Sequence, residues 1–268
     1  MYRPFSRAHA AARCVRSFAS GRLSLAALVS ALALAPLSLG AGAAAAASFS
    51  DAEKAEIEEI VKTYLIENPE VMIEVFDALE AQQAEIEQAQ AKSAIAENAE
   101  ALYDDPMAYV YGNPDAEVTI VEFFDYRCGY CKKAFPGITE FIANNTHVKL
   151  ILKEFPILGE QSVFASKAAL AAQEQGKYWE LHSALMETRA PLSEENVYEI
   201  AEGAGLDLER LKKDMQAKKV TEAILDNEAL AEVIGVRGTP AFIVNGELQT
   251  GALPTERLQE LVDAATKG

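Results

Sequence analysis

Between Ser50 and about Glu100 the apolar residues recur at helical spacing, with almost no breaker among them. Ile57, Ile60 and Tyr64 stand three and four apart, and Asp51, Glu53 and Lys54 occupy the other faces. "NPE" at Asn68–Glu70 predicts a fresh helix start, with Asn68 as its cap and Pro69 in its first turn. The stripe continues through Met72, Val75 or Phe76, Leu79 and Ile86. It is too narrow to bury a lone helix and has the form of a coiled-coil seam, weakened by Gln82, Gln83 and the alanines. Self-association through this stripe is the expectation; the competing reading packs the helix on its own domain.

"YDDPMAYVYGNPDAEV" (103–118), punctuated by Pro106, Gly112 and Pro114, reads as a loop that opens a compact domain. The period then shortens. Val118–Phe124 ("VTIVEFF") is a β-branched and aromatic run, hence a buried strand. A helix to about Asn144 and a second strand, Val148–Phe155, follow. Residues 160–231 are almost wholly helical in pattern, and Trp179 is expected to pack these helices together. "TPAFIVNGELQTG" predicts two strands joined at Asn245–Gly246, and a closing helix begins at Pro254. Strand, helix, strand, helices, hairpin, helix is the order of an α/β sheet that carries a helical insertion.

The first residues add a separate segment. Arg3, Arg7, Arg13, Arg16 and Arg22 precede an apolar run, Leu23–Leu39, and the small-residue tract "GAGAAAAAS". This layout predicts a secretory signal peptide cleaved near Ala47, and so a periplasmic or secreted protein. The run is interrupted by Ser24, Ser30, Pro36 and Ser38 and falls short of the ~20 residues that span a bilayer. Three segments result: a leader (1–47), an N-terminal helical stalk (48–105) and a compact domain (106–268). Removal of five arginines leaves 19 basic against 41 acidic residues and takes the net charge from −17 to −22. A chain of that charge repels phosphate backbones and anionic headgroups, which argues against nucleic acid as a partner.

Cleavage also removes Cys14, so the exported chain keeps Cys128 and Cys131 alone. A structural staple gains by closing a long loop, and this pair encloses only Gly129 and Tyr130. Zinc needs two further ligands, for which the exported chain offers His147, His182 and carboxylates. The redox reading asks for less. A C-x-x-C placed between a buried strand and a helix start puts its first sulfur among free backbone N–H groups and the positive end of the helix dipole. Its pKa then falls well below the usual ~8.5. Cys128 is thus expected to be the exposed nucleophile, and Cys131, one turn deeper, the thiol that resolves a mixed disulfide. No organic cofactor is required. The same two thiolates also suit Cu(I).

"VEFFDYRCGYC" resembles the active-site segment of DsbA-type thioredoxin-fold oxidoreductases, and "VRGTPAFIVNG" resembles their cis-proline loop. The resemblance runs from about Pro106 to the C-terminus and implies a thioredoxin fold with a helical insertion. The long N-terminal helix ahead of such a domain resembles the suppressor-of-copper-sensitivity protein C (ScsC) group, whose members include trimeric disulfide isomerases. By this likeness Pro240 is the cis-proline facing the cysteines, and Thr239 before it binds an extended substrate chain through its backbone. Glu122 takes the place of a buried acid that moves the proton of Cys131; the alternative makes it a structural ion pair with Lys153. Gly129 and Tyr130 tune the thiolate and the redox potential, and Pro136 shapes the helix after the pair.

The expectation is an exported thiol:disulfide isomerase or reductase acting on unfolded or mispaired proteins. A membrane redox partner keeps it reduced, and it assembles as a homo-oligomer, with a trimer implied by the resemblance. The rivals are a monomeric disulfide oxidase and a copper(I)-binding protein that uses Cys128 and Cys131.

Overall fold

A computed structural model describes residues 49–266. The predicted leader, its cleavage point and Cys14 lie outside the described residues. The chain divides into two compact units, with the division between Glu59 and Ile60. In the first, helix α1 (Asp51–Glu67) opens on a reciprocal cap. The Ser50 backbone N–H donates to Glu53 Oε2 at 2.7 Å, and the Glu53 N–H donates to Ser50 Oγ at 3.3 Å.

The second unit begins within α1 and continues through α2 (Glu70–Glu97) and α3 (Ala99–Tyr103). Asn68 does not cap α2: its Nδ2 donates back to the Tyr64 carbonyl at 2.8 Å and closes α1, while Pro69 stands at the α2 N-cap. Met72, Val75, Phe76, Leu79 and Ile86 are all exposed, Phe76 to 57%. The seam residues therefore do not pack on the chain's own domain. Burial of α2 is confined to Ala91 and Ile95, near its end.

A five-stranded sheet of order β1-β3-β2-β4-β5 organises the rest. Its strands are β1 (Tyr109–Gly112), β2 (Val118–Phe124), β3 (Val148–Glu154), β4 (Ala241–Val244) and β5 (Glu247–Thr250). β2 and β3 are parallel and joined through α4 (Gly129–Asn144); the other neighbours run antiparallel. β1 lies within the stretch read as loop. Its four residues alternate half-buried and exposed, too short a pattern to separate from a turn, and it exists as a strand because it pairs with β3. The hairpin forms as expected, with Asn245 at φ 52° and Gly246 at φ 73°, both values that a primed two-residue turn requires.

β2 reads as a continuous apolar run because both sheet faces are covered. Ile120, Phe124, Leu150, Leu152, Phe242 and Val244 face one core, shared with α4, the insertion and α10 (Thr255–Ala265). Val121, Phe123, Ile151 and Ile243 face a second core, closed by Ile95, Leu102, Leu230 and Ile234. Ile95 and Leu102 belong to the stretch that the sequence reading assigns to the stalk. The insertion between β3 and β4 consists of α5 (Glu160–Ala172), α6 (Tyr178–Glu187), α7 (Glu194–Gly203), α8 (Leu208–Asp214) and α9 (Lys218–Val233). Trp179 packs against the first core, which the inserted helices share. Its ring stacks on Tyr111 of β1, 3.8 Å between centroids, and joins the insertion to the sheet edge. Among the described residues no helix is long and apolar enough to cross a membrane.

Candidate active site

Cys128 is the N-cap of α4, at φ −71° and ψ 113°, and its sulfur accepts the Cys131 backbone N–H at 3.4 Å. The turn before it is held from inside. Buried Asp125 accepts the Arg127 N–H at 2.7 Å, Ser162 Oγ at 2.8 Å and the Leu158 N–H at 2.9 Å, while its own carbonyl accepts the Cys128 N–H at 3.0 Å. One acid thus fastens the end of β2, the start of α4 and the start of α5. On the other side the Cys128 sulfur lies 3.2 Å from the Thr239 carbonyl oxygen, which accepts from it when it is protonated, and the Thr239–Pro240 peptide bond is cis. Residues 111 positions apart meet at one sulfur.

Cys131 is completely buried, and Cys128 is only 6% exposed, so the expected exposed nucleophile is in fact nearly covered. The reason is the neighbouring cis-proline loop, which roofs the sulfur. Tyr130, between the cysteines, is 69% exposed, and Gly129 faces open space.

The two thiols are electrostatically unequal. The Cys128 pKa is lowered to about 5: the hydrogen bond from the Cys131 side chain is the largest cause and burial opposes it. The Thr239 side chain and the Cys131 and Tyr130 backbone N–H groups contribute in the same direction as Cys131. The Cys131 pKa is raised, first by that same hydrogen bond, then by burial and by the charge of Glu122. At neutral pH one sulfur is a thiolate and the other keeps its proton. Such an inequality is what an attacking and a resolving thiol require.

Glu122 is buried on the cysteine side of β2, and burial, followed by the Cys128 charge, raises its pKa to about 8. It does not pair with Lys153. In the parallel register Glu122 faces Leu152, and Lys153 lies beside Phe123, so the two side chains occupy opposite faces of the sheet. Lys153 instead donates to Asp105 Oδ2 at 2.6 Å and to the Ala101 carbonyl at 2.7 Å.

Two buried acids that frame the site were not singled out from sequence. One is Asp125. The other is Glu154, whose Oε1 accepts Tyr126 OH at 2.9 Å and Tyr178 OH at 2.8 Å, and whose Oε2 accepts Ser166 Oγ at 2.6 Å. His182 Nδ1 completes the cluster, 2.9 Å from Tyr126 OH, with its pKa lowered to about 3 by burial, so the ring is neutral. The available signal was an acid closing each apolar strand run, "VEFFD" and "VKLILKE".

The DSBA-like thioredoxin domain profile matches residues 119–263, more than half of the chain. The chain belongs to the DsbA-like thioredoxin family. Its N-terminal helices match a second profile, the copper resistance protein ScsC N-terminal domain, over residues 53–85. A thioredoxin-like oxidoreductase from Silicibacter pomeroyi is 45% identical, with a TM-score of 0.62, over 63% of this chain and 98% of that one. A linker-deletion mutant of ScsC from Proteus mirabilis is 25% identical at a TM-score of 0.64 and covers 83% of this chain and 99% of its own. Among curated proteins, the Na(+)/H(+) antiporter NhaA 3 of Salinispora tropica is 32% identical over 159 residues, which are 59% of this chain and 24% of that protein. The chain therefore spans about a quarter of the length of the curated relatives it matches.

The family is one of thiol–disulfide oxidoreductases, and in this chain the paired thiols stand at the start of α4. Among the described residues no group of three or more His, Cys, Asp or Glu is arranged to hold a metal ion. The donor set of Cys128 and Cys131 suits a soft ion of low coordination number and nothing larger.

Proposed function

We propose that the protein is an exported disulfide isomerase or reductase that works on mispaired protein substrates as a homo-oligomer. The observation that carries the exchange chemistry is the Cys128 sulfur between the Cys131 N–H and the Thr239 carbonyl. Its thiolate attacks one sulfur of a substrate disulfide, forming a mixed disulfide and expelling the other substrate sulfur as a thiolate. Glu122 takes the proton of Cys131, and the Cys131 thiolate then attacks Cys128. The mixed bond breaks, the Cys128–Cys131 disulfide forms and the second substrate thiol leaves. Two electrons pass to the substrate. If a substrate thiolate attacks the mixed disulfide before Cys131 does, the substrate is isomerised and the pair stays reduced.

A Cys128 pKa of about 5 stabilises the reduced pair and makes its disulfide the more oxidising, so the isomerase or reductase reading rests on assembly and on a membrane redox partner that restores the dithiol after each net reduction. Assembly is supported by the exposed stripe from Met72 to Ile86, together with the ScsC N-terminal match over the same helix. A trimer is the state taken from the resemblance. Several catalytic pairs on one stalk raise the local thiol concentration around a bound chain. Recovery of activity from a scrambled multi-disulfide protein tests this reading. It fails if the reduced protein gives no recovery while still reducing simple disulfides.

The match to a copper resistance domain supports a second, compatible reading: Cys128 and Cys131 bind Cu(I) as cargo. Anaerobic titration of the reduced protein is expected to show tight Cu(I) binding that disappears when both cysteines are replaced. Binding that survives would place the ion elsewhere.

A further inference from the structure

A groove of about 690 Å³ runs away from Cys128, between the first turns of α4 and the segment that leaves α6 (Met186 to Leu192). Its charge opposes that of the protein. Arg127, Lys132, Lys133 and Arg189 line it, and Glu187 is the one acid among its lining residues. The chain as a whole carries 41 acidic and 24 basic residues. Arg127, Lys133 and Arg189 are exposed and take part in no ion pair among the described residues. Lys132 lies deeper, where its Nζ donates to the carbonyls of Leu185, Met186 and Thr188 at the end of α6. Those bonds hold the ammonium group in the groove without a direct ion pair, although buried Asp125 acts on its charge from a distance.

The groove reaches Gly129, inside the redox pair, and neither Thr239 nor Pro240 lines it. A polypeptide joined to Cys128 through its own cysteine has two flanks. One lies against the Thr239–Pro240 loop, and the other has this groove before it. Phe135, Pro136 and Met186 add apolar surface to the lining, which a small free anion does not need and a peptide side chain does.

We propose that the groove binds an acidic stretch of the substrate polypeptide, next to the cysteine that Cys128 attacks. The proposal rests on the disulfide-exchange reading above and adds a substrate preference to it. The bulk field of a chain with net charge −17 favours the opposite preference, repelling acidic peptides, so the sign of the effect identifies the groove.

The test is competition between two disulfide-linked peptides of equal length for the reduced protein, one with Asp and Glu around its cysteine and one with Lys and Arg. The acidic peptide is expected to react about tenfold faster at low ionic strength, as two or three surface ion pairs would give. Added salt removes the preference, and the double substitution Lys133→Glu, Arg189→Glu reverses it. Because both peptides meet the same Cys128, any change in sulfur reactivity cancels from the ratio. Rates equal within about twofold, a faster basic peptide, or an acidic preference that survives in the double variant would overturn the proposal. If the double variant reacts with neither peptide, Arg189→Gln alone decides by the same ratio. A wild-type protein that reacts with neither would overturn the exchange reading itself, and this inference with it.

Discussion

Cys128 Sγ lies 3.2 Å from the carbonyl oxygen of Thr239, and the Cys128 residue is only 6% exposed. A substrate chain must reach the thiolate beside the Thr239–Pro240 loop, and a substrate disulfide bound there has Cys131 one helical turn behind it.

Replacement of the two cysteines is therefore expected to give unlike results. Cys128→Ser abolishes exchange. Cys131→Ser still attacks but cannot release, so mixed disulfides accumulate and are visible by mass spectrometry after acid quenching. Full activity in Cys128→Ser would end the assignment.

The low Cys128 pKa sets the pH dependence of the first step. The thiolate is the reactive form, so alkylation by iodoacetamide is expected to be flat from roughly two units above that pKa and to fall as pH drops through about 5. Titration of thiolate ultraviolet absorbance gives the same midpoint. A midpoint near the ordinary thiol value would show that the helix start does not activate the sulfur.

In the proposed mechanism Glu122 acts on the second step with the opposite dependence. A carboxyl group with a pKa of about 8 is protonated at lower pH and accepts a proton only above it. In the mixed disulfide Cys128 carries no charge and burial alone raises the Glu122 pKa, so decay is expected to accelerate as pH rises towards 8. In Glu122→Gln this acceleration is lost, with a deficit on the order of 100-fold at high pH. An unchanged pH profile in Glu122→Gln would return Glu122 to a purely structural role.

Glu154 belongs to stability. Glu154→Ala leaves the Tyr126, Tyr178 and Ser166 hydroxyls without their acceptor and is expected to cost roughly 2–5 kcal/mol by chemical denaturation. Its pKa is raised by burial from 4.5 to about 8, so the folded state holds the proton more tightly than the unfolded chain. The stability from this group is complete below pH 4.5 and is lost as pH rises towards 8. The Cys128→Ser, Cys131→Ser background removes the opposing contribution of the thiolate. There, Glu154→Gln is expected to reduce the downward slope between those pH values.

The stalk is tested by deleting residues 49–84, which stops short of buried Ala91 and Ile95 and spares the second core. Light scattering is expected to show an oligomer for the full chain and a monomer for the deletion. The monomer keeps dithiol chemistry and loses activity on scrambled substrates. A full chain that is monomeric at micromolar concentration would favour the oxidase reading.

The strands β2 and β3, the α4 boundaries, the Asn245–Gly246 hairpin and the place of the cysteines were all legible in the sequence. Each depends on local rules: apolar period, turn chemistry, and the position of a residue relative to a helix start. The exposed seam of α2 was legible for the same reason, since an apolar stripe of that width has no core of its own to enter. What the sequence left open was decided by partners far along the chain. β1 is a strand only through its pairing with β3, and Lys153 is separated from Glu122 by the parity of a register that pairs Glu122 with Leu152. Ile95 and Leu102 enter the second core because the sheet presents Val121 and Phe123 there. The covering of Cys128 by Thr239, the Glu154 cluster and the basic groove likewise join side chains from separate elements. Such juxtapositions follow from chain packing, which no local pattern encodes.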